Sequence, residues 1–450
     1  MTTNTITRLL AGLALVSLAD GQTIPNHAAA NLALGQTGFT TNTAATTQSG
    51  LSDPSAVVVD AVSRKVFVAD GNNNRVLRYA SADSLANGAT AEAVLGQPNF
   101  ITNAIITPPT AQSMYAPGGL FLDSLGRLWV ADDRNNRVLM FVNAVTITSN
   151  TAASRVYGQS SFTGNGSATT DVSMDNPVGV WVDASDRLWV GDSSNNRILR
   201  FDDITNKASG SPANGVLGQA LFTTNGSASG AAGIYEAKGL AVSPSGALFV
   251  ASPANNRVMR FDNAAALANG ANASAVFGQP DFTTTTSGVT AVKMTSPRGL
   301  TVTSNDALWV CDTSNNRVIR FDQASTRSSG AAANGVVGKP NLTTSGFTSL
   351  DARGLSSPSH SPFVDSTGSL WVPDQSNRRV LRYAPLPNAV PDVTANVQYR
   401  VNDGPLITAT GTTSWSFRSK LKKGKNTITV IATDNNDIAS LKLVIKIKRK

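Results

Sequence analysis

Residues 68–79 read Val-Ala-Asp-Gly-Asn-Asn-Asn-Arg-Val-Leu-Arg-Tyr, and close copies of this line occur five more times in the 450-residue chain. The arginines of successive copies are separated by 62, 60, 60, 60 and 62 residues. A fixed period of this length indicates one structural unit repeated along the chain. The arginines that mark the period are Arg75, Arg137, Arg197, Arg257, Arg317 and Arg379.

Each period has room for four short strands. The first follows a proline, as in Pro117-Gly-Gly-Leu-Phe-Leu-Asp123, and a polar turn leads to the second, which ends at Asp132. The Asp-x-x-Asn-Asn turn then leads into the third strand at Arg137. The fourth is the segment of the Leu-Gly-Gln type, preceded in one repeat by an Asn-Gly hairpin signal at Asn214. Four antiparallel strands repeated six times predict an all-β, six-bladed β-propeller.

The ends of the repeat array predict how the ring closes. A Leu-Gly-Gln type strand at Leu34 precedes the first blade, whereas the last blade has no such strand after Tyr383. Pairing of residues 31–36 with the outer edge of blade six would supply the missing strand and remove an exposed sheet edge. The propeller is therefore predicted over residues 28–385, with its ring closed by the N-terminal strand.

The line Trp-Val-Ala-Asp-x-x-Asn-Asn-Arg-Val-Leu-x-Phe resembles the NHL repeat family of β-propellers, with six copies across residues 31–385. The resemblance implies the fold but no single function, because NHL propellers include a zinc-dependent lyase, RNA-binding domains, extracellular sensors and adhesion modules. The period is longer than is usual for NHL repeats, and the extra residues lie between the Gly-Gln pair and the next proline. The fourth repeat also departs, with Ser252-Pro253 replacing the Asp and Ala237 replacing the Pro.

The N-terminus has the pattern of a secretory leader. Arg8 is the only charge before an apolar run from Leu9 to Ala19, and this run is too short to span a bilayer. Ser17-Leu18-Ala19 has the small residues that a signal peptidase prefers. The sequence therefore predicts a signal peptide at residues 1–19, no membrane span, and a secreted, periplasmic or cell-surface protein.

The C-terminal residues differ from the repeats. A Pro-rich linker is predicted at residues 386–391, and residues 392–450 resemble bacterial immunoglobulin-like modules through segments such as Gly424-Lys-Asn-Thr-Ile-Thr-Val-Ile-Ala-Thr-Asp434. The resemblance implies a small β-sandwich-like module. The roughly sixty residues available are fewer than a complete immunoglobulin-type sandwich requires, so this module is either reduced in size or packed on the propeller.

Positive charge is concentrated at the C-terminal end. Residues 386–450 contain 11 Lys and Arg against 4 Asp and Glu, whereas the rest of the chain contains 26 against 25. A propeller face that binds nucleic acid is therefore not expected. The basic segments, Lys420–Lys425 and Lys446–Lys450, are either a solvated charge run or a contact for anionic envelope polymers.

The repeated Asp and Arg residues are predicted to form a structural latch. Each Asp begins a tight turn in which its carboxylate can accept backbone N–H bonds, and an Arg five residues later can form a charge-assisted bond with it. A ring of cation-binding carboxylates is the alternative, but a binding site seldom repeats identically around a ring. The latch residues are Asp70, Arg75, Asp132, Arg137, Asp192, Arg197, Arg257, Asp312, Arg317, Asp374 and Arg379.

Few residues in the chain suggest catalysis. The two histidines, His27 and His360, are too few for the multi-histidine zinc site of the related lyase. His360 precedes the inner strand of blade six and is a weak candidate for the central channel, although a polar residue at a strand start is the simpler interpretation. Cys311 occupies a repeat position held by Ala131 and Gly191, so it is predicted to be a small buried residue. No catalytic constellation and no cofactor are predicted.

Six long connections join each fourth strand to the next first strand, and all should lie on the rim that carries the Asp-x-x-Asn-Asn turns. Their middle segments diverge in sequence, as expected of binding loops on a rigid scaffold, although simple surface padding is an alternative. The predicted function is a secreted, non-catalytic binding or scaffold protein whose loop rim engages a protein, peptide or glycan. The alternative is an exported lactonase- or lyase-type propeller enzyme with a metal in the central channel. The connections span residues 36–54, 97–117, 159–177, 219–237, 279–297 and 339–358.

Overall fold

The computed structural model describes residues 24–347, 349–385, 396–402, 404–405, 407–408, 422–433 and 439–449. The chain divides into two compact units, one spanning Ile24–Pro385 and the other containing the C-terminal strands. The predicted signal peptide at residues 1–19 and the predicted linker at 386–391 lie outside the described residues. Within the described residues, no helix has the length and hydropathy needed to cross a bilayer.

The first unit is the predicted six-bladed β-propeller of four-stranded antiparallel sheets. Blade one contains β2 (Pro54–Val59), β3 (Lys65–Asp70), β4 (Arg75–Ser81) and β5 (Ala93–Leu95). Blade two contains β6 (Pro117–Leu122), β7 (Leu128–Asp132), β8 (Arg137–Phe141) and β9 (Arg155–Tyr157). Blade three contains β10 (Pro177–Val182), β11 (Leu188–Asp192), β12 (Arg197–Phe201) and β13 (Gly215–Leu217).

The second half of the ring repeats this order. Blade four contains β14 (Leu240–Val242), β15 (Leu248–Ser252), β16 (Arg257–Phe261) and β17 (Ala275–Phe277). Blade five contains β18 (Pro297–Val302), β19 (Leu308–Asp312), β20 (Arg317–Phe321) and β21 (Gly335–Val337). Blade six contains β22 (Phe363–Val364), β23 (Leu370–Asp374) and β24 (Arg379–Tyr383). The first strands of neighbouring blades contact one another in sequence around the ring and surround a central channel.

The ring closes as the sequence predicts. Strand β1 (Leu32–Leu34) pairs antiparallel with β24, and Ala33 lies opposite Leu381. Blade six thus takes its outer strand from the N-terminal end of the propeller and its other three strands from the C-terminal end. Leu32 and Leu34 are buried against residues of blades one and six, which include Val57 and Trp371. The first and last blades are therefore joined through a shared core.

The strands are apolar on both faces because each blade is packed between two neighbours. Trp129 and Tyr157 of blade two lie in one buried cluster with Leu188 and Val190 of blade three. Both faces of a central strand such as β7 are fully buried, which explains why its sequence is a continuous apolar run and not an alternating one. The largest side chains of the repeat therefore form the contacts between blades.

A segment of the following blade closes the outer edge of each blade. In blade one, the N–H of Val94 donates to Ser149 Oγ at 3.2 Å, and Asn150 donates its N–H to the Val94 carbonyl oxygen at 2.8 Å. At the outer edge of blade five, the N–H of Val336 donates to Asn26 Oδ1, and the N–H of His27 donates to the Val336 carbonyl oxygen. The N-terminal segment therefore caps the edge of blade five and also supplies the outer strand of blade six. Among the described residues of the propeller, such capping leaves no outer blade edge free for pairing with another chain.

The Asn-Gly signal at Asn214 does not form the expected two-residue hairpin turn. Gly215 is already the first residue of β13, and the connection from β12 runs through residues 202–214. Asn214 instead accepts the N–H of Asp202 on its side chain and donates its own N–H to the Arg200 carbonyl oxygen. The pair therefore closes the base of a longer loop.

The C-terminal unit contains one four-stranded antiparallel sheet in the order β26-β25-β27-β28. Its strands are β25 (Asn396–Val401), β26 (Ile407–Thr408), β27 (Gly424–Thr433) and β28 (Ala439–Arg449). The described residues contain no second sheet of this unit. The immunoglobulin-like, β-sandwich-like module therefore stays a prediction, as does the role of the basic tail.

Candidate functional site

The repeated Asp and Arg form a buried ion pair in five blades. In blade three, Arg197 Nε donates to Asp192 Oδ2 at 2.7 Å, and both side chains are fully buried. Asn195 donates its side-chain N–H to the same oxygen at 2.9 Å. The Nε–Oδ2 distances of the other four pairs are 2.7 to 3.0 Å. We call each such Asp–Asn–Arg set a latch.

The second carboxylate oxygen of the latch has a different partner from the expected one. Asp192 Oδ1 accepts the N–H of Asp175, at 2.7 Å, from the long connection that enters the blade. The turn itself is held by its backbone, with Asn196 in the left-handed region at φ 53°, where asparagine is tolerated better than most residues. The backbone N–H that Asp192 accepts therefore belongs to the incoming connection, whereas its own turn contributes the side-chain N–H of Asn195.

Each latch arginine holds two long connections at once. Arg197 Nη2 donates to the carbonyls of Thr170 and Ser173, at 2.8 and 3.0 Å, in the loop before its blade. Its Nη1 donates to the Phe222 carbonyl oxygen in the loop after its blade. The same arrangement recurs at the other latches. The six connections and the Asp-x-x-Asn-Asn turns therefore lie on one rim, which we call the long-loop rim.

Blade four has an incomplete latch. Ser252 takes the Asp position, and its hydroxyl accepts the N–H of Tyr235 at 3.0 Å. Arg257 keeps its bonds to Gly230, Gly233 and Phe282, but its buried Nε has no hydrogen-bond partner among the described residues. Burial without a carboxylate partner lowers the pKa of Arg257 to about 10. This blade is a natural control for the energetic role of the latch.

Charged residues gather where the central channel opens on the long-loop rim. Lys238 and Arg298 occupy the same repeat position, directly after Ala237 and Pro297, in the segments that lead through the first strands of blades four and five. Lys238 Nζ lies 3.7 Å from Glu236 Oε2. Burial lowers the pKa of Lys238, and the nearby Arg298 lowers it further. We call this group, together with His360, the channel mouth.

The structure places His360 at the channel mouth. Pro358 pairs with Asp374 as Pro297 pairs with Asp312, so His360 lies two residues into the inner segment of blade six, where its backbone adjoins Gly299 of blade five. Burial lowers the pKa of His360 to about 3, with further lowering by Lys238 and Arg298. Its Nδ1 is buried without a hydrogen-bond partner among the described residues. The imidazole is therefore neutral near pH 7.

Acidic residues face this cationic wall from blades one and two. Burial raises the pKa of Asp53, and a hydrogen bond from Gln375 and the nearby charges of Arg298 and Arg378 partly offset this increase. Burial also raises the pKa of Asp133 to about 7, and Arg134 and Lys238 partly offset this effect. The channel mouth is thus a mixed-charge surface in which burial raises the pKa of two carboxyl groups.

Replacing Asp133 by Asn is expected to change the pH dependence of stability. The pKa of Asp133 in the folded protein, about 7, lies above the ordinary value of 3.8, so its contribution is fully present below about pH 4 and is lost as the pH rises through about 7. We therefore expect the stability of the wild type relative to Asp133→Asn to fall between pH 4 and pH 8. Urea unfolding at several pH values measures this difference.

Asp281 is the matched control on the same rim. Hydrogen bonds from Thr284 and Thr283 lower the pKa of this exposed carboxyl group to about 2, so it does not titrate between pH 4 and pH 8. The stability difference between the wild type and Asp281→Asn should stay constant over this range. A constant difference for Asp133→Asn as well would contradict the raised pKa.

The long-loop rim also carries most of the exposed large apolar side chains. Eleven such side chains are exposed on the propeller among the described residues, and eight belong to the long connections. The connection from 97 to 117 contributes three isoleucines. A group of exposed apolar side chains on one loop indicates a candidate binding surface, whereas a single exposed side chain does not. The eight residues are Ile101, Ile105, Ile106, Val172, Leu221, Tyr235, Val292 and Phe347.

Sequence reasoning missed several residues of this site. Lys238, Arg298, Asp53 and Asp133 were not singled out, because nothing local to them suggests a shared location. The signal that could have found the first two is variation at one repeat position, which is held by Lys238 and Arg298 in two blades but by Val178 in another. Cys311 is fully buried as predicted, and burial raises the pKa of its thiol.

The donor groups for a metal are sparse. Within the described residues, no three His, Cys, Asp or Glu side chains lie close enough to share a metal ion. The positive charges of Lys238 and Arg298 both lower the pKa of His360. A cationic neighbourhood of this kind opposes the binding of a divalent cation at His360.

Comparison with known proteins supports the propeller assignment. The family model of the NHL repeat matches residues 294–321, which cover the first three strands of blade five. No curated protein sequence matches the chain significantly. The repeat match and the six antiparallel blades together confirm the predicted type of fold.

Three solved structures illustrate the similarity. Virginiamycin B lyase from Staphylococcus aureus is 14% identical with a TM-score of 0.40, and 89% of this chain and 85% of that chain are covered. A gluconolactonase from Xanthomonas campestris is 14% identical with a TM-score of 0.44, at coverages of 74% and 87%. A protein of unknown function from Bacteroides thetaiotaomicron is 14% identical with a TM-score of 0.50, at coverages of 78% and 74%. Similarity at this level of identity concerns the fold alone.

Proposed function

We propose that this propeller is a non-catalytic binding module whose long-loop rim engages a protein or peptide partner. The observation that carries the proposal is the group of three exposed isoleucines on the connection from 97 to 117, which Arg75 and Arg137 hold in place. A loop whose backbone is fixed before binding loses less conformational entropy when the partner docks. The N-terminal sequence adds the expectation that this binding takes place outside the cytoplasm.

The apolar residues favour a polypeptide over a glycan at this rim. Protein interfaces are built around a few large side chains that become fully desolvated, surrounded by polar groups. The connection from 97 to 117 presents Ile101, Ile105 and Ile106, and the mixed charges of the channel mouth lie on the same rim. A surface of this composition suits an apolar segment flanked by charged residues.

Paired surface variants test the proposal. Partners captured from an envelope extract of the producing cells are purified, and their affinities are measured for the wild type, for Ile101→Ser/Ile105→Ser and for Val62→Ser/Val142→Ser. The control side chains, Val62 and Val142, are similarly exposed but lie outside the long connections. We expect the first double variant to weaken binding at least tenfold, about 1.4 kcal/mol, and the control to bind as the wild type does.

Two outcomes would contradict the proposal. Equal weakening by both double variants would show that the rim has no special role. A divalent metal that raises the melting temperature, reversibly with a chelator, together with lactone hydrolysis that is lost on metal removal, would favour the exported lactonase- or lyase-type enzyme instead.

A further inference from the structure

A second candidate site lies at the end of the channel opposite the long-loop rim. A cavity of about 790 Å³ opens there among the turns that join first and second strands in blades two to five. Its size is within the range of pockets that hold small molecules. None of its lining residues belongs to the long connections, so the site is independent of the function proposed above.

The floor of the cavity is aromatic on one side only. Phe121 and Trp181 contact each other with ring centroids 4.5 Å apart and planes tilted by 40°. Cross-strand pairing shows that they share one position of the repeat, which Ala241 and Thr301 occupy in blades four and five. The partly exposed rings of Phe121 and Trp181 therefore lie beside the smaller side chains of Ala241 and Thr301. This difference in size leaves space above the indole of Trp181.

One arginine of the wall has unused hydrogen-bond donors. In blade two, Arg127 donates to Asp123, Asp186 and Thr205 at 2.6 to 2.8 Å. In blade three, Arg187 donates through Nε to Asp183 at 2.8 Å, and its terminal nitrogens have no hydrogen-bond partner among the described residues.

The difference between the two arginines follows from the sequence of the next blade. The positions of Asp186 and Thr205 are held by Gly246 and Ala265 in blade four, which supply no side-chain acceptor. Arg187 is partly exposed and lines the cavity. Its free N–H groups therefore adjoin the aromatic floor, where they can bond to a ligand.

Hydroxyl groups complete the polar wall. Ser124, Ser185 and Ser304 are exposed on the turns around the opening, and their hydroxyls form no hydrogen bond within the described part of the chain. The charged residues of the lining are Asp123, Asp183 and Asp186 against Arg127 and Arg187. The net charge of the wall is therefore negative, which disfavours an anionic ligand.

We propose that this cavity binds a neutral saccharide. A pyranose ring has one apolar C–H face, which suits the exposed surface of Trp181 and Phe121, and hydroxyl groups around its edge, which suit the donors and acceptors of Arg187 and the three serines. An aromatic floor with a few polar groups at the edge gives such a ligand both affinity and orientation.

Titration calorimetry with defined sugars tests the ligand class. The probes are maltotriose, cellotriose and triacetylchitotriose, which are neutral, and trigalacturonate, which is acidic. We expect at least one neutral trisaccharide to bind with a Kd below about 1 mM, and trigalacturonate to bind more weakly. Failure of all three neutral sugars to bind, or tighter binding of trigalacturonate, would overturn the proposal.

Three variants locate the binding. Ser185→Trp, at an exposed turn, should block the opening and abolish binding, and Arg187→Gln should weaken it about tenfold. Val62→Ser, on the equivalent turn of blade one, should leave the Kd unchanged, and so should Ile101→Ser/Ile105→Ser on the long-loop rim. Sugar binding that survives Ser185→Trp would show that the sugar binds elsewhere. This result does not depend on whether the long-loop rim binds a polypeptide partner. Unchanged melting temperatures confirm that the variants are folded.

Discussion

Deletion of residues 28–38 is expected to unfold the whole propeller and not only one end of it. The deletion removes β1, which supplies the outer strand of blade six, and with it the buried side chains of Leu32, Ala33 and Leu34. Each of the two leucines contributes about 1.5–3 kcal/mol through burial, and the strand pairing adds about 1 kcal/mol for each hydrogen bond. The expected loss, about 5–8 kcal/mol, is comparable to the entire stability of many domains.

The loss should be global because β1 connects the two ends of the ring. Leu32 and Leu34 belong to a core cluster that includes Val57 of blade one and Trp371 of blade six. Without β1, the outer edge of β24 is unpaired and free to bind a strand of another molecule. Chemical denaturation and analytical ultracentrifugation of the deleted protein should therefore reveal both lost stability and self-association.

A point variant and a peptide serve as controls for the deletion. Leu34→Ala and Leu95→Ala alter equally buried residues at the same position of two blades, and each should cost about 2–5 kcal/mol. A synthetic peptide of residues 24–38 should restore the melting temperature of the deleted protein in proportion to its concentration. A deleted protein that melts as a monomer within a few degrees of the wild type would refute the closure role of β1.

Replacement of Asp192 by Ser is expected to destabilise the propeller by about 3 kcal/mol. The substitution removes the carboxylate from a fully buried ion pair and leaves Arg197 Nε without an acceptor. Loss of one partner of a buried pair typically costs about 3–5 kcal/mol, and the serine hydroxyl recovers part of this by accepting the N–H of the incoming loop, as Ser252 does in blade four. Urea unfolding measures the loss.

Blade four provides the reverse substitution. Ser252→Asp would give Arg257 Nε an acceptor where every other part of the latch is already present. We expect this variant to gain about 1–2 kcal/mol. A lower free energy of unfolding for Asp192→Ser together with a higher one for Ser252→Asp would establish the latch as structural. Little change in either variant would contradict this role and favour the cation-binding interpretation of the repeated Asp residues.

Loss of one latch is expected to change amide hydrogen exchange only in the loops that this latch holds. Because Arg197 bonds to Thr170, Ser173 and Phe222, Asp192→Ser should raise amide hydrogen exchange in the connections on both sides of blade three. The connections of blade six, which depend on Arg379, should exchange at the wild-type rate. Uniform acceleration around the ring would mean that the effect is global destabilisation and not loss of one latch.

Much of the fold was predictable because the interactions that define a blade are local. The spacing of the arginines, the four strand segments and the leftover strand at Leu34 all follow from a repeat that can be aligned with itself. Antiparallel pairing of neighbouring strands depends on turns of a few residues, so Asp192 and Arg197 lie opposite each other in any blade with this sequence. The ion pair follows from the same proximity.

The site was less predictable because its contacts join residues that are distant in sequence. The latch arginine reaches about 25 residues in both directions to hold two loops, and the side chains of Lys238, Arg298 and His360 approach one another only when blades four, five and six pack side by side. Closure also places Asn26 and His27 on blade five. The sequence pattern within one repeat does not show which residues of different blades come into contact.

The sequence by itself therefore determined the number of blades, the strands within each blade, the closing strand and the residue types of the latch, since these depend on a short, repeated spacing. Only the tertiary structure decided which loops the latch holds, which charges meet at the channel mouth and where the aromatic cavity opens. The physical reason is that a blade is stabilised by pairing between adjacent strands, whereas the channel and both rims are formed by the curvature that results from packing six blades into a closed ring.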